Sequence, residues 1–338
     1  MGNKKLKAGI IGLGVGRKHA EFFDSHPFCK VSAVCDFSEE KLTSFSVTYP
    51  DIKTVVNADE ILKDPDVDIV SIASYDNYHY EQIIKAINNN KHVFVDKPLC
   101  LYEEEAREIR SLLTKYPRIK ISSNLVLRTC PRFIRIKEAV ASGEMGRLFY
   151  IEGDYYWGRI DKLTEGWRKD MGFYSIVYGA ALHMIDLVLW LTGKLPVEVH
   201  AYGNDIATEN SELKYNSFAV LLMKFEDGMI AKVTGNGACV HPHFHRLVVC
   251  GSEKTAIHDI TGAKWLETSD PDAELRDIVE DYPAKEKRGN VITTFVDSII
   301  NDKASPIVPA NDVFDVMSVC FAAERAIRES KPIKVEYK

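Results

Sequence analysis

One stretch constrains this chain more than any other: Lys7 to His19, KAGIIGLGVGRKH. An apolar run, Ala8 to Ile11, enters glycines at positions 12, 14 and 16, and a helix is predicted to follow from Arg17 through Phe23. Strand, glycine turn and helix in this order suit a βαβ unit that holds a dinucleotide. Glycine lets the backbone turn tightly and approach a pyrophosphate, and the helix N-terminus offers N–H groups and the positive end of its dipole. On this reading Gly12, Leu13, Gly14, Val15 and Gly16 cradle the cofactor. The usual fingerprint has its third glycine where Arg17 stands here, so Gly16 comes one place early. A glycine triplet by itself also serves as a plain tight connection.

The following segments add weight. Lys30 to Cys35 reads as a second strand, and Asp36 comes after it. An acidic residue about twenty positions past the glycines accepts hydrogen bonds from the ribose hydroxyls and repels the extra phosphate of NADP(H), so NAD(H) is the preferred cofactor. Asp36 can also cap a helix predicted over Ser38 to Ser46. Val67 to Ala73, VDIVSIA, has the continuous apolar character of a buried parallel strand. It ends in SYDNYHYE, which puts Ser74, Asn77 and His79 at the carboxyl edge where ligands bind. A helix is predicted from Tyr80 to Asn88. His92 to Val95 is the next strand, and Asp96 and Lys97 reach the same edge. A helix from Glu103 to Tyr116, stopped by Pro117, and a strand from Ile119 to Ser122 complete the alternation. The pattern predicts an α/β Rossmann domain over residues 1–123, with a doubly wound parallel sheet.

A chain of 338 residues exceeds one ordinary core, and its pattern changes from Asn124. Pro131 to Ser142 is an amphipathic helix closed by Gly143. Strands are predicted at Leu148 to Trp157, Val197 to Tyr202, Phe218 to Phe225, Met229 to Gly235 and Arg246 to Cys250, with a hairpin at Glu226-Asp227-Gly228. Helices are predicted at Ala180 to Leu191, Val291 to Ile300 and Asp312 to Glu329, and Asp270 to Arg288 reads as a charged surface excursion. Residues 124–338 are thus expected to form an α+β domain with an open, mainly antiparallel sheet.

A net charge of -6 argues against a nucleic-acid partner. No apolar run is long enough to span a bilayer, and nothing resembles a signal peptide. The cysteines are scattered and odd in number, as in a reduced cytoplasmic protein. His241, His243 and His245 would share one face of a strand and could converge on a metal. Pro242 disfavours a central strand, and no acidic or cysteine ligand is near in sequence. A loop or edge segment without metal is expected there.

Three segments in order, GIIGLGVGRKHA, IASYDNYHYE and HVFVDKPLC, resemble the glucose-fructose oxidoreductase / inositol dehydrogenase / MocA family. The family usually shows A-T-P-N-x-x-H and E-K-P at the second and third. Asn77 is matched, His79 stands close to the family histidine, Asp96 replaces the glutamate, and Lys97 and Pro98 are retained. The resemblance implies that Lys97 lies near the nicotinamide and the substrate carbinol, where an ammonium can hold the substrate oxygen and relay a proton. In the second half the family shows G-G-G-x-x-x-D-x-G-x-H-x-x-D. His183 and Asp186 match its last two members. The acid four residues before the histidine is absent, because Gly179 stands there, and Ala181 replaces the later glycine.

His183 is therefore implied as a catalytic or substrate-anchoring partner of Lys97; a core histidine satisfied by Asp186 or a carbonyl is the other reading. The phenol of Tyr178 can fill the space of the missing acid. Tyr155, Trp167 and Arg168 are implied substrate contacts, with Arg168 meeting a carboxylate or phosphate or else solvated. The resemblance implies hydride transfer between nicotinamide and a secondary alcohol of a small carbohydrate-like substrate: a sugar, inositol or nucleotide sugar. It also implies a homodimer or homotetramer formed through the C-terminal sheet. An NAD- and metabolite-binding sensor on the same fold, or reduction of an imine-like or unsaturated substrate, are the competing readings.

Overall fold

The computed structural model describes residues 5–337. The chain divides into two compact units, one made of Met1–Val126 and Glu286–Phe314, the other of Leu127–Lys285 and Asp315–Lys338.

In the first unit six strands alternate with helices. The strands are β1 (Leu6–Ile11), β2 (Cys29–Cys35), β3 (Lys53–Val55), β4 (Ile69–Ile72), β5 (His92–Val95) and β6 (Ile121–Ser123). The helices are α1 (Gly16–Ser25), α2 (Glu39–Thr48), α3 (Asp59–Leu62), α4 (His79–Asn88) and α5 (Glu103–Lys115). All strand pairs are parallel, in the order β3-β2-β1-β4-β5-β6. The strands end level, because Ile11 pairs with both Cys35 and Ile72, Ile72 with Val95, and Val95 with Ser123. Consequently Gly12, Asp36, Ala73, Asp96 and Asn124, each the next residue in its chain segment, leave the sheet along one edge. The strand order reverses between β1 and β4, the switch point at which such sheets bind nucleotides.

β3 and α3 were not anticipated from sequence. At three and four residues they are too short to show a period. The cap of α2 is Ser38, whose side chain accepts the Lys41 N–H; Asp36 does not cap it directly.

The second unit holds α6 (Pro131–Ala141), β7 (Leu148–Tyr156), α7 (Asp161–Thr164), α8 (Leu182–Thr192), β8 (Pro196–Asn204), β9 (Phe218–Phe225) and β10 (Ile230–Asn236). Beyond these come β11 (Phe244–Gly251), β12 (Thr255–Asp259), β13 (Gly262–Leu266), β14 (Arg276–Asp277) and, near the chain end, β15 (Ile333–Lys334). The sheet order is β14-β13-β12-β11-β7-β10-β9-β8-β15, antiparallel except for the β7–β10 pair. Alternation sets its faces. In β9, Ala219, Leu221, Met223 and Phe225 are buried while Leu222 and Lys224 are exposed.

α8, LHMIDLVLWLT, is apolar nearly all round and is buried on the sheet. A π-helical turn, Val177–Ala181, leads into it. Two strand glycines admit this approach. A side chain on Gly153 would meet Met184 Cβ at 3.3 Å, and one on Gly235 would meet the Ala181 nitrogen at 2.9 Å. Asp186 accepts both the Nε and Nη2 hydrogens of Arg128, a buried ion pair. On the opposite face of the sheet, Lys232 and Arg246 both bridge Glu152 and Asp154.

One sequence expectation holds in part, and another is corrected. His241, Pro242 and His243 form a loop, as expected, and only His245 enters a strand, β11, which lies inside the sheet between β7 and β12 rather than at an edge. Pro242 precedes the strand and removes no ladder bond. The stretch from Asp270 to Arg288 is not wholly a surface excursion. Ile278 is buried, and the Tyr282 ring packs on Phe133, Phe244 and His258. Its dense charge masks these two anchors.

Near its end the chain returns to the first unit. Phe295 of α9 (Asn290–Ile300) packs its ring 5.7 Å from that of Phe94, which also meets His19 and Phe23. Full burial of one such phenylalanine is worth roughly 1.5–3 kcal/mol. The Ser122 hydroxyl donates to the Val308 carbonyl, and His26 pairs with Asp297. Residues 286–314 thus complete the nucleotide-type unit, although the sequence division assigns everything past 124 to the second domain. α10 (Ala310–Glu329) then carries the chain back into the second unit.

Candidate active site

Each loop glycine has its own physical reason. Gly12 has φ +89°, and a side chain there would strike the Ala73 carbonyl and come within 2.8 Å of the Ser74 nitrogen. Gly14 faces open space, with no atom within 4 Å of a would-be Cβ. Gly16 sits so close to β1 and the end of β4 that a Cβ would lie 3.0 Å from Ile10 Cγ2 and 3.2 Å from Ala73 Cβ. Tight turn, open approach and close helix–strand packing are the three functions of a dinucleotide fingerprint. Gly16 performs the third of them one residue early because α1 itself starts there. Arg17 donates to Ser44 and Thr48 on α2, and so leans away from the turn. No side chain caps α1, and Val15 is exposed. The open cradle at Gly14 and the uncapped helix start fit a pyrophosphate.

Asp36 is buried and ties β2 to the glycine turn. Its Oδ2 accepts the Leu13 N–H at 2.7 Å, its Oδ1 accepts the Ser38 N–H at 2.9 Å, and Lys41 stands 3.4 Å away. A carboxylate oxygen accepts more than one hydrogen, so capacity remains for hydroxyl groups. Asn77 is exposed in the turn after β4, and the Ser74 hydroxyl donates to Gln82. His79 is fully buried: Nδ1 lies 2.7 Å from the Pro98 carbonyl and Nε2 3.2 Å from the Ser74 carbonyl. Its ring pins the ends of β4 and β5 together and so positions Lys97, whose peptide bond to Pro98 is cis. Asp96 accepts the Asn124 amide at 3.1 Å.

In the second unit, half-buried His183 belongs to an array of rings. Its centroid lies 5.7 Å from Tyr155 and 6.3 Å from His245. Tyr155 stacks on His245 at 4.5 Å, and its hydroxyl is hydrogen-bonded to His243 Nε2 at 2.8 Å. His245 in turn meets the Tyr282 hydroxyl. The histidine segment therefore supplies imidazoles to this array. Among the described residues no group of three His, Cys, Asp or Glu is placed to hold a metal ion. The alternation of His241, His243 and His245 is visible in sequence, but the partner it serves, Tyr155, is not.

Against Gly179 the structure sets Tyr174, whose hydroxyl occupies the position a side chain would enter. Tyr178 is instead buried against Phe173 and Phe321. Ser175 accepts the Val177 and Tyr178 N–H groups and donates to Glu324, whose acidity burial weakens. Arg168 lies over the rings of Trp167 and Trp157. Tyr174, Ser175 and Trp157 carry no signal in the sequence, since only tertiary packing brings them to these positions.

A glycine turn at a sheet's switch point, a buried carboxylate behind it and a lysine along the same edge define the class: an NAD-binding oxidoreductase of Rossmann type. The chain belongs to the GFO/IDH/MocA family. Residues 6–123 match the family's NAD-binding Rossmann-fold domain, and residues 133–272 match the GFO/IDH/MocA C-terminal domain. It is 24% identical to myo-inositol 2-dehydrogenase of Thermotoga maritima, over 98% of this chain and 99% of that one. The fold is similar to that of myo-inositol 2-dehydrogenase from Lactobacillus plantarum, with TM-score 0.82, 22% identity and coverage of 98% and 100%. It is also similar to scyllo-inositol dehydrogenase from Lactobacillus casei with bound NAD(H) and scyllo-inositol, with TM-score 0.80, 20% identity and coverage of 98% and 99%. Among the described residues no helix is long and apolar enough to cross a membrane.

Proposed function

We propose that the protein interconverts a secondary alcohol and its ketone on a sugar, inositol or nucleotide sugar, with NAD(H) preferred over NADP(H). The observation that carries this reading is the shared edge of the first sheet. Lys97 leaves β5 level with the glycine turn after β1, two strands away in the order β1-β4-β5. The named relatives that act on inositols support the same chemistry.

When bound, nicotinamide supplies the hydride acceptor or donor. The chain's own residues do the rest. Gly12, Leu13, Gly14, Val15 and Gly16 accommodate the pyrophosphate. Asp36 accepts the ribose hydroxyls and disfavours a 2′-phosphate, Ser74 and Asn77 border the cofactor, and Asp96 and His79 hold the Lys97 segment. Lys97 Nζ holds the substrate oxygen and takes its proton as the alcohol is oxidised. His183 anchors the substrate, with Tyr155, Trp167, Arg168 and Tyr178 as further members of the substrate side. A homodimer or homotetramer through the open sheet of the second unit completes the reading. The lack of an acid at Gly179 favours one competitor, a metabolite sensor without turnover.

The test is nicotinamide absorbance with purified protein against sugars, inositols and nucleotide sugars in both directions. Lys97→Ala should abolish turnover and leave NAD binding intact. Full activity in that variant removes the mechanism.

A further inference from the structure

We infer that Arg168 forms a binding site for a compact anion, so that the substrate is a polyol or sugar carrying a carboxylate or phosphate. Arg168 is held in an aromatic cage. Its guanidinium carbon lies 4.3 Å from the Trp167 ring centre, 5.1 Å from Trp157 and 5.9 Å from Tyr174. Rings around the guanidinium restrict its motion, and a guanidinium so held presents a fork of N–H donors suited to a planar anion. The Nε of that fork is buried and, among the described residues, meets no hydrogen-bond acceptor. A buried donor without an acceptor costs free energy, and a charged donor costs more than a neutral one. A carboxylate or phosphate taken side-on by Nε and an Nη would satisfy it with two parallel bonds.

The charges around the cage agree. Among the described residues no carboxylate forms an ion pair with Arg168, Arg159 or Lys162, whereas the adjacent Lys169 is paired with Glu212. Partial burial, and then the facing charges of Arg159 and Arg168, hold the Lys162 ammonium below its ordinary value, with Asp161 opposing weakly. Cations that repel one another, with no carboxylate in ion-pair contact among the described residues, favour an anion at that point.

The cage also borders the ring array. Trp157 follows Tyr155 by two positions and still bonds to β10 through the Asn236 carbonyl, so the two side chains share a face. Tyr155 meets His183, and Tyr174 joins the cage to Gly179. An anion at Arg168 would therefore set the position of a hydroxyl-bearing carbon presented to His183. Only that last step rests on the proposed reaction; the anion site itself does not.

The test measures binding by calorimetry to the full chain saturated with NADH, so that alcohols are not consumed. The probes are D-glucuronate, D-glucose 6-phosphate and neutral D-glucose, with inorganic phosphate as a fourth. At least one anionic sugar should bind tenfold or more tightly than glucose. Arg168→Gln should erase that advantage, and Lys162→Gln should reduce it two- to fivefold. Retained melting temperatures establish that the variants are folded, and Arg168→Lys, which keeps the charge but not the fork, should recover only part of the affinity. Preference for glucuronate identifies a carboxylate site, and preference for glucose 6-phosphate a phosphate site. Equal binding of all three sugars, or an advantage untouched in Arg168→Gln, overturns the inference; inorganic phosphate bound as tightly as either sugar, and lost in Arg168→Gln, supports the anion site but overturns the assignment of an anionic sugar or polyol as substrate. Turnover of neutral polyols alone, with no Arg168-dependent binding, overturns it while leaving the proposed reaction standing. Arg168-dependent binding with no NAD-linked turnover of any compound does the reverse.

Discussion

The hydroxyl of Tyr174 stands where a side chain at residue 179 would enter, and its Cζ lies 3.0 Å from the would-be Cβ of Gly179. The position that carries an acid in the family pattern is thus filled from five residues earlier. Gly179→Ala should cost roughly 1–3 kcal/mol by overpacking. In a Tyr174→Phe background, which removes the hydroxyl, the same substitution should cost less. Urea denaturation of the four proteins of this cycle gives the coupling. Equal cost in both backgrounds would show that Tyr174 does not govern residue 179.

The Arg128–Asp186 pair is buried on both sides, with side chains 2% and 1% exposed. Removing one partner leaves a charge buried alone. Asp186→Ala should therefore destabilise by about 3–5 kcal/mol, whereas replacing both residues with apolar side chains of similar volume should recover most of the loss. A single-variant cost below about 1 kcal/mol would contradict this.

Two buried groups give pH dependences of opposite sign. Burial, and then the Arg132 charge, push His258 down from 6.5 to about 3. The unfolded imidazole takes up a proton that the folded one refuses, so stability is full above pH 6.5 and falls as pH drops. The loss should be roughly 2 kcal/mol between pH 6.5 and 4.5 and should be smaller in His258→Gln. Glu324 is raised by burial, so its contribution is present in acid and lost as pH rises through its folded value. Glu324→Gln should raise the melting temperature at pH 8 and leave it nearly unchanged at pH 4. The same gain at both pH values would mean that its charge is not the cause.

Asp36 serves the glycine turn and, as proposed, the ribose. Asp36→Asn keeps an acceptor for the Leu13 N–H but removes the charge. It should narrow the preference for NAD over NADP, measured as a ratio of kcat/KM, by about tenfold or 1.4 kcal/mol. Asp36→Ala should in addition raise KM for both cofactors, because the turn loses its tether. An unchanged ratio in Asp36→Asn would remove the charge argument.

The first unit was readable because its signals are local. Continuous apolar runs such as VDIVSIA mark buried parallel strands, and the residues just after them, Asp36, Asn77 and Lys97, are necessarily at one edge once the strands align. The second unit was readable as strands and helices but not as a site. Nothing in the spacing of Tyr155 and His243, 88 positions apart, announces their hydrogen bond. The return of Phe295 to Phe94 is equally silent, since an amphipathic helix declares that it has a partner without saying which. The histidines at 241, 243 and 245 show a period, but imidazole serves ring stacking and metal binding alike, and the period does not distinguish them.

The π-helical turn at Val177–Ala181 changes what it means for an acid to be missing. An acid and a histidine four positions apart share a face only while the helix between them keeps α geometry. A π turn takes up about one residue more than an α turn, so everything before it is rotated by about 100° relative to His183. Gly179 lies inside this turn, so counting back four from His183 reaches it without a full stretch of α spacing in between. The departure from the family's residue pattern at Gly179 thus sits where the helix itself departs from α geometry. Gly179→Asp would drive its side chain against the Tyr174 hydroxyl, so restoring an acid there calls for a smaller residue at 174 as well.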